Sequence, residues 1–523
     1  MAQTINRDSQ NFSLSDQGYR EVGNKLSKKL YDHLSCAGQK AYLHDHLLSN
    51  TVFAKNHMPL WGQYLEGRKA RKVTFLFALK KILRYFAKSF GWIVVFCIQG
   101  FSYRLSRQKY TPDPTKPLTL IDIYLDPEQI IETGALSDQY FPGLEDRLKS
   151  KGANYAYAPK FYGSDYPRLY YRMFCLLKEQ SRPILPCFQL FSVCDYLKMV
   201  AFIPVYLFRL FQEIARLGTS AEDELLRFFL WDTMDHTAVK NHARLLFGRC
   251  ISKIDVPAIK CISWYENQSQ DKNFYKGLRF ISGKVRILGA QLFYWPGTFC
   301  VPTLNLHVDE KEIIYGLTPD CVLVNGPYYL LEESALDFKV GPSMRYAGLF
   351  RAKVDVRGKS ALLVVMPYYE NEIGKILEIL NEAGLSSDIF IRFHPTTNLK
   401  KYANNLKQKM RIADGDLYSL FSRVGCVAGR ETGVLVEAAS LGIPVINIET
   451  GQGWSYDYMP QYGKGIIWGN ASNGSELVKW INKFQESLLT EKDKIRSTAD
   501  RYRKTFFCEP TNEKIDEAFE LNE

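Results

Sequence analysis

The stretch Ile389-Phe390-Ile391-Arg392-Phe393-His394-Pro395 decides the fold of this chain of 523 residues. Its isoleucine and phenylalanine residues predict a short strand. The strand stops at His394-Pro395, because proline is excluded from the interior of a central strand, so the histidine lies at the strand's carboxyl end. Open α/β sheets bind their ligands at that end of their strands. The stretch therefore predicts a ligand site in an α/β domain.

The following segment predicts a strand, a helix and a further strand. Gly425-Cys426-Val427-Ala428-Gly429 leads through Arg430-Glu431-Thr432-Gly433 into a helical run at residues 434–441. Gly442 is suited to end that helix, and residues 443–448 are the next apolar strand. The free backbone amides at the start of the helix, at Thr432 and Gly433, favour the binding of an anion.

This order resembles the carboxyl-terminal donor domain of GT-B glycosyltransferases, in which a helix with a glutamate precedes a strand like Gly442-Ile443-Pro444-Val445-Ile446. The His394-Pro395 pair resembles the His-Pro element of bacterial capsule and lipopolysaccharide transferases with cytidylyl-activated donors, among them Kdo transferases, polysialyltransferases and CDP-glycerol polymerases. The resemblance covers roughly residues 118–480. It implies an α/β protein of the GT-B class, with two Rossmann-like doubly wound domains facing a cleft and an amino-terminal helical extension.

The resemblance also implies the donor-binding residues. His394 would contact the donor phosphate, Thr432 and Gly433 match a Ser-Ser pair at the helix start with only one hydroxyl kept, and Glu437 would bond the nucleotide ribose. Arg392 alternates onto the same strand face as His394 and would add positive charge, so that the leaving nucleotide is stabilised without a metal. The alternatives are that His394 bonds only backbone groups and that Glu437 is an ordinary solvent-facing helix carboxylate.

Four apolar runs predict the strands of a first doubly wound domain, at residues 118–125, 258–264, 284–291 and 321–327. A second domain begins near residue 361. With these runs, composition divides the chain into a helical extension with a basic arm (1–112), an acceptor-side domain (118–345), a nucleotide-sugar donor domain (346–505) and a tail (506–523).

Glu266 is the residue expected to carry the chemistry. It follows the predicted strand at residues 258–264, and sugar transfer needs a carboxylate near the acceptor hydroxyl as a general base or as a nucleophile. Asp271 is the second catalytic candidate, with Asp122 and Asp126 in reserve. The alternative is that Glu266 caps the next helix or pairs with a nearby cation, Lys272 or Arg279.

The positive charge of the chain is concentrated in one segment. Between Gly67 and Pro112 there are eleven lysines and arginines and no acidic residue, which equals the whole net charge of +11. Apolar residues alternate with these cations, so the segment predicts a basic amphipathic helix in a membrane interface. Two alternatives stay open: a basic helix packed on its own domain, and nucleic-acid binding, which lacks a supporting motif.

The apolar region at residues 184–217 contains Asp195, Lys198 and Arg209, which argue against a membrane span. It predicts either buried core helices or a hydrophobic ledge for a lipid-linked acceptor. The eleven cysteines include no C-x-x-C pair, and the amino terminus lacks a secretory signal, so a reducing cytoplasm is expected.

Together these features predict a metal-independent glycosyltransferase that moves a sugar, such as Kdo or another ulosonic acid, to a growing surface glycan or glycolipid. No cofactor is expected, and a CMP-linked donor is favoured as substrate. The expected partners are the donor, a glycan or lipid-linked acceptor and an anionic membrane surface on the inner face of the cytoplasmic membrane. Two alternatives remain: a CDP-polyol phosphotransferase and a non-catalytic GT-B-like assembly protein.

Overall fold

The structure of the protein is a computed structural model. It describes residues 74–163, 166–281, 283–294, 310–330, 334–367, 370–394, 397–402, 406, 409–430, 432–451 and 459–522. Pro395, Glu431 and the four cations of the basic arm that precede residue 74 lie outside these residues.

Within the residues that the structure describes, the first domain contains eight strands, and six of them form one parallel sheet. They are β1 (Leu118–Asp122), β2 (Tyr124–Leu125), β3 (Asn154–Tyr157), β4 (Lys160–Phe161), β5 (Ile259–Trp264), β6 (Val285–Gln291), β7 (Cys321–Val324) and β8 (Phe338–Val340). The sheet has the order β3-β1-β5-β6-β7-β8, and β2 pairs with β4 beside it. Strands β1 and β7 are buried at every residue, as expected of a parallel sheet covered on both faces.

Helices cover this sheet and extend it. They are α1 (Phe75–Ser106), α2 (Pro127–Thr133), α3 (Leu144–Ser150), α4 (Pro167–Glu179), α5 (Cys187–Leu190), α6 (Val193–Ala215), α7 (Ala221–Asp232), α8 (Thr237–Ser252), α9 (Ser269–Leu278), α10 (Glu310–Ile314) and α11 (Ala347–Arg351). Helix α1 begins at Thr74, whose hydroxyl accepts a hydrogen bond from the Phe77 amide at 3.3 Å, and ends at Arg107 in the left-handed conformation.

Among the described residues, α1 is the single helix long and apolar enough to cross a membrane, and 28% of its most apolar window is buried against the protein. Part of the basic arm is therefore a helix, as expected. Residues 187–215 are also helical, but α6 buries only one of its faces. The prediction of buried core helices there is half correct.

The second domain repeats the architecture. Its strands are β9 (Leu362–Val365), β10 (Ile389–Arg392), β11 (Met410–Ile412), β12 (Cys426–Gly429), β13 (Val445–Ile448) and β14 (Trp468–Ala471), in the parallel order β11-β10-β9-β12-β13-β14. Its helices are α12 (Glu370–Ala383), α13 (Leu417–Phe421), α14 (Val434–Ser440), α15 (Gly474–Thr490) and α16 (Lys492–Phe506). The predicted fold class is confirmed: two Rossmann-like, doubly wound α/β domains, with helical material before the first.

The chain crosses between the domains twice. The first crossing runs through a short turn, Met344–Tyr346, and α11. In the second, α16 ends against the first domain, where Asn325 Nδ2 donates to the Phe506 carbonyl at 2.9 Å. A Cβ on Gly326 would lie 2.4 Å from the carbonyl carbon of Phe506, so only glycine allows this approach.

The predicted tail continues this second crossing as helix α17 (Asn512–Ala518), which packs on the first domain. The Phe519 ring lies 5.8 Å from the Phe141 ring, and Asp516 pairs with both Arg147 and Lys151. Residues 506–522 therefore complete the first domain rather than trail from the second.

The order of the strands reverses once in each sheet. In the first sheet the chain runs from β1 to β3 and then returns to β5 on the other side of β1. In the second it runs from β9 through β10 to β11 and returns to β12 on the other side of β9. Open α/β sheets bind ligands at such reversals, outside the carboxyl ends of the strands. The loops after β1, β5, β9 and β12 are therefore the regions in which to look for a site.

Candidate active site between the two domains

Glu266 lies at the reversal point of the first sheet, two residues beyond the end of β5. Its two carboxylate oxygens accept hydrogen bonds from Trp264 Nε1 at 2.9 Å and from Gln268 Nε2 at 2.7 Å. Burial raises the pKa of the Glu266 carboxyl above its ordinary value, although the hydrogen bond from Trp264 opposes the shift. The result is a carboxylate of fixed orientation and increased basicity.

Asp271 holds the loop that carries Glu266. Its Oδ2 accepts from the backbone amides of Glu266 at 3.2 Å and of Gln268 at 3.1 Å, and it forms a capping box at the start of α9. Its Oδ1 accepts from Lys160 Nζ at 2.5 Å. These contacts give Asp271 a positioning role, and its predicted catalytic role is untested.

Lys160 sits at the centre of a buried ionic cluster below this loop. Its ammonium group also lies 3.1 Å from Asp122 Oδ2, and Asp122 Oδ1 accepts from Arg244 at 2.7 Å. Burial alone would lower the pKa of Lys160, but Asp122 and Asp271 raise it above its ordinary value. Two carboxylates and two cations thus form a neutral, interlocked floor under Glu266. Asp122, a reserve candidate, belongs to this floor.

Arg345 links this site to the second domain. It is an exposed residue of the first crossing, and its guanidinium carbon lies 5.2 Å from the centre of the Trp264 ring and 5.9 Å from that of Tyr140. Its charge partly opposes the burial that raises the pKa values of two carboxyls in different domains, Glu266 and Glu437. Arg345 therefore lies in the cleft between the two reversal points.

Glu437 faces the cleft from α14 in the second domain. It is buried, and its Oε2 accepts a hydrogen bond from the Tyr418 hydroxyl at 2.8 Å. Burial raises the pKa of Glu437 to about 7, against the opposing effects of Tyr418, Arg345 and Arg392. The alternative of an ordinary solvent-facing carboxylate is therefore wrong. A carboxyl that titrates near neutral pH in a cleft is a candidate functional group.

The position of Tyr418 is set by close packing. Two residues before it, Asp416 caps the start of α13 and accepts a hydrogen bond from the Ser419 amide at 2.8 Å. A Cβ on Gly348 of α11 would lie 2.4 Å from the Tyr418 ring. Helix α11, which connects the domains, is thus in close contact with Tyr418, the residue that donates a hydrogen bond to Glu437.

Arg392 and His394 lie at the carboxyl end of β10, as predicted. Arg392 donates to the Gly415 carbonyl at 2.7 Å, and its charge acts on Glu437. Burial lowers the pKa of His394, so its imidazole is neutral at physiological pH. It can then donate one hydrogen bond to an anion without bringing a charge.

Thr432 and Gly433 lie at the reversal point of the second sheet, where α14 begins. The Thr432 hydroxyl accepts from the Val434 amide at 3.3 Å, and Gly433 approaches Tyr294 of the first domain. Beside them Arg430 and Glu372 form a buried ion pair at 3.1 Å between the loop after β12 and helix α12. This pair fixes the loop after β12 to the first turn of α12.

The structure thus brings Glu266, Arg345, Glu437 and Arg392 into one electrostatic neighbourhood. Sequence patterns identified three of these four residues but missed Arg345. They also missed Tyr418 and Lys160, which are not among the four. None of the three missed residues follows a predicted strand in a recognisable motif. Among the described residues no group of three or more histidine, cysteine, aspartate or glutamate side chains is arranged to hold a metal ion. Metal independence stays a prediction.

Comparison with known proteins gives low similarity. No protein-family model matches the chain, and no curated protein matches it. Solved structures with some likeness include a glycosyltransferase from Rickettsia africae, with 11% identity over 78% of this chain and 97% of that one and a TM-score of 0.39. The wall teichoic acid polymerase TagF has 11% identity over 86% and 97% of the two chains and a TM-score of 0.35.

A UDP-GlcNAc 2-epimerase from Methanocaldococcus jannaschii is similar to the same degree, with 12% identity over 70% of this chain and 92% of that one and a TM-score of 0.37. Likeness at this level carries no argument about activity. The case for a function rests on the cleft itself.

Proposed function

We propose that the protein is a glycosyltransferase that binds a nucleotide-sugar donor on its second domain and a glycan or lipid-linked acceptor on its first. The observation that carries the proposal is the pair of hydrogen-bonded carboxyls, Glu266 beyond β5 and Glu437 on α14, with Arg345 of the first crossing close enough to act on both. Each belongs to the reversal point of a different sheet, so a molecule bound at one would meet a molecule bound at the other.

Glu266 acts as the general base in this proposal. As the acceptor oxygen bonds to the anomeric carbon of the sugar, its proton passes to Glu266, and the bond from that carbon to the donor phosphate breaks. The nucleotide leaves with the electron pair. The raised pKa of Glu266 favours acceptance of the proton, since a stronger base takes it more readily.

The second domain would stabilise the leaving nucleotide. Arg392 supplies a positive charge, and the neutral imidazole of His394 donates a hydrogen bond to a phosphate oxygen. Glu437 in its ionised form would accept hydrogen bonds from the ribose hydroxyls, and Thr432 offers a hydroxyl at the start of α14.

The finer assignments are also proposals. We favour a CMP-linked donor, an ulosonic acid such as Kdo as the sugar, and a surface glycan as the product, because of the His394-Pro395 element. Phosphotransfer from a CDP-polyol is the second candidate, since the same element suits it. The proposed location is the inner face of the cytoplasmic membrane, because α1 is basic and has no acidic residue.

A binding screen tests the proposal. CMP, CDP, UDP and GDP would each be added to the purified protein, and the melting temperature would be measured with and without each nucleotide. We expect stabilisation by one base in preference to the others, because a ligand that binds only the folded state raises its stability. Stabilisation by none of the four would contradict a donor site.

Donor hydrolysis then separates the reactions. Release of free sugar from a CMP-linked donor supports glycosyl transfer, whereas release of polyol phosphate from a CDP-polyol supports phosphotransfer. Nucleotide binding with no turnover of any donor would instead favour the non-catalytic assembly protein.

A further inference from the structure

Helix α1 carries an exposed apolar stripe along its whole length. Leu83 is 62% exposed, Val94 58% and Phe101 60%. These and the other members of the stripe recur at the three- and four-residue spacing of one helix face. They are Leu76, Leu79, Leu83, Phe90, Val94, Ile98, Phe101 and Leu105.

Helix α6 carries a second stripe of the same kind. Leu197 is 62% exposed and Phe208 60%. With Val193, Val200 and Val205, which are also exposed, they lie on one face of α6. The opposite face packs into the first domain through Met199, Ile203 and Tyr206.

The two helices are antiparallel neighbours. Near one end the Tyr85 hydroxyl of α1 donates to the Ile203 carbonyl of α6 at 3.1 Å. Towards the other end the rings of Phe96 and Tyr196 lie 5.9 Å apart. As the residue number rises along α1 it therefore falls along α6, and the two apolar stripes lie on adjacent helices.

The inward face of α1 is mixed, because Ser89, Gln99 and Ser102 are buried beside the core residues Tyr85, Ile93, Phe96 and Tyr103. The outward face, by contrast, exposes leucine, valine and phenylalanine side chains. In water this arrangement is unfavourable, because the free energy falls when large apolar side chains leave water. Exposed apolar patches of this extent mark a surface that contacts a partner or a membrane.

The charge of the pair selects the partner. Helix α1 contains Lys80, Lys81, Arg84, Lys88 and Arg104 and no acidic residue. A second copy packed on this surface would bring its own α1 cations against these, which is unfavourable. Anionic lipid headgroups, by contrast, attract them, while the acyl chains accept the apolar stripes.

We propose that α1 and α6 together form a membrane-embedded surface, in which both apolar stripes lie in the boundary between headgroups and acyl chains. This inference deepens the membrane association proposed above and is independent of the glycosyl-transfer chemistry. Helix α1 lies flat rather than across the bilayer, because its buried residues recur from Tyr85 to Ser106 and hold it against the domain.

Vesicle flotation tests this proposal. Embedding predicts that the protein binds neutral phosphatidylcholine vesicles in addition to anionic ones. It also predicts that high salt weakens binding only in part, since salt does not screen the burial of apolar surface. Complete release by salt, or binding to anionic vesicles alone, would overturn embedding while leaving electrostatic membrane association intact. Binding to neither, or a dimer blocked by the variants described next, would overturn both.

Two variants locate the contact. Leu83→Gln with Val94→Gln on α1, and Leu197→Gln with Phe208→Gln on α6, should each lower binding to neutral vesicles at least tenfold. The control is Leu489→Gln with Ile314→Gln, because both side chains are 76% exposed and lie outside α1 and α6. If the α6 variant binds like the control, the surface does not include α6. Donor hydrolysis should be unchanged in all three.

Two native thiols give a second readout that needs no substitution. Cys97 on α1 and Cys194 on α6 are both exposed and are the chain neighbours of the stripe residues Ile98 and Val193. Neutral vesicles should protect both from a water-soluble maleimide at least fivefold, measured by mass spectrometry, whereas the partly exposed Cys508 should react at the same rate with and without vesicles. Undiminished labelling of Cys194 in vesicle-bound protein would contradict the two-helix surface.

Discussion

The two reversal points differ in how their charged groups are partnered. Below Glu266, Lys160 and Arg244 contact Asp122 and Asp271 within 3.1 Å, so the charges compensate one another inside the first domain. In the second domain Glu437 has a hydrogen bond from Tyr418, and Arg345 and Arg392 reach it only through their fields. The charges below Glu266 are therefore fixed before any ligand arrives. The protonation of Glu437 in the second domain depends instead on what binds beside it.

The largest effect should come from the residue above the preset floor. Glu266→Gln keeps the size of the side chain and one acceptor oxygen but removes the base, so transfer should fall roughly a hundred- to ten-thousandfold. Nucleotide affinity should stay within about twofold, because the carboxylate acts on the acceptor. Steady-state kinetics and a nucleotide titration of the same preparation measure both quantities. Lost affinity with normal turnover would reverse the proposed division between the domains.

The floor itself is tested through stability. Lys160→Met leaves Asp122 and Asp271 buried with a missing cation, so the free energy of unfolding should fall by about 3–5 kcal/mol. Denaturant unfolding measures the change. Lys149→Met is the matched control, since Lys149 is exposed and its partner Glu145 keeps the cation Arg182, so the loss should be less than about 1 kcal/mol. Equal losses in the two variants would mean that the buried cluster is not interlocked.

The donor side should respond more moderately. His394→Ala removes one hydrogen bond to a charged phosphate, so donor turnover should fall about ten- to a hundredfold, or roughly 1.5–3 kcal/mol, with the fold retained. Arg411→Ala, an exposed residue on β11 in the same domain, is the control and should leave turnover unchanged. Wild-type rates for His394→Ala would remove the histidine from the site.

The effect confined to one pH range concerns stability. Because the pKa of Glu437 rises from 4.5 to about 7 on folding, the folded protein holds a proton that the unfolded chain releases between these values. This contribution to stability is complete below pH 4.5 and is lost as the pH rises through about 7.

Glu437→Gln keeps the bond from Tyr418 and does not titrate. At pH 8 it should therefore be more stable than the wild type by roughly 3 kcal/mol, and at pH 4 the two should be equal. Thermal unfolding at both values measures the difference, with the exposed Glu486→Gln as the control. A stabilisation of the same size at pH 4 would show that the carboxyl is not the cause.

Much of the fold could be predicted because buried parallel strands are continuous apolar runs. Eight of the twelve strands in the two large sheets lie in runs identified by sequence, counting β9 at the start of the second domain, but β3, β8, β11 and β14 were missed. The first of these, Asn154-Tyr155-Ala156-Tyr157, is short and partly polar, and β8 contains an exposed lysine, so periodicity does not separate them from loops.

The site was predicted where chemistry follows a strand in the chain. Glu266, Arg392 and His394 directly follow or end strands, so their position at the carboxyl edge could be inferred. Arg345 follows no long strand, and only the path of the crossing brings it between Glu266 and Glu437. The exposure of one face of α6 could not be predicted from the sequence either, because the apolar content of the helix is the same whether that face contacts protein or not.

The docking of α17 against Phe141 and Arg147 has a consequence for biosynthesis. The first domain is translated long before α17, yet it uses Phe519 and Asp516 to cover its own helix α3. During translation that apolar surface of the first domain therefore stays uncovered until the whole second domain has been made. Uncovered apolar surface makes an incomplete chain prone to aggregate. Nascent chains of this protein should therefore bind chaperones from the emergence of α3 until that of α17.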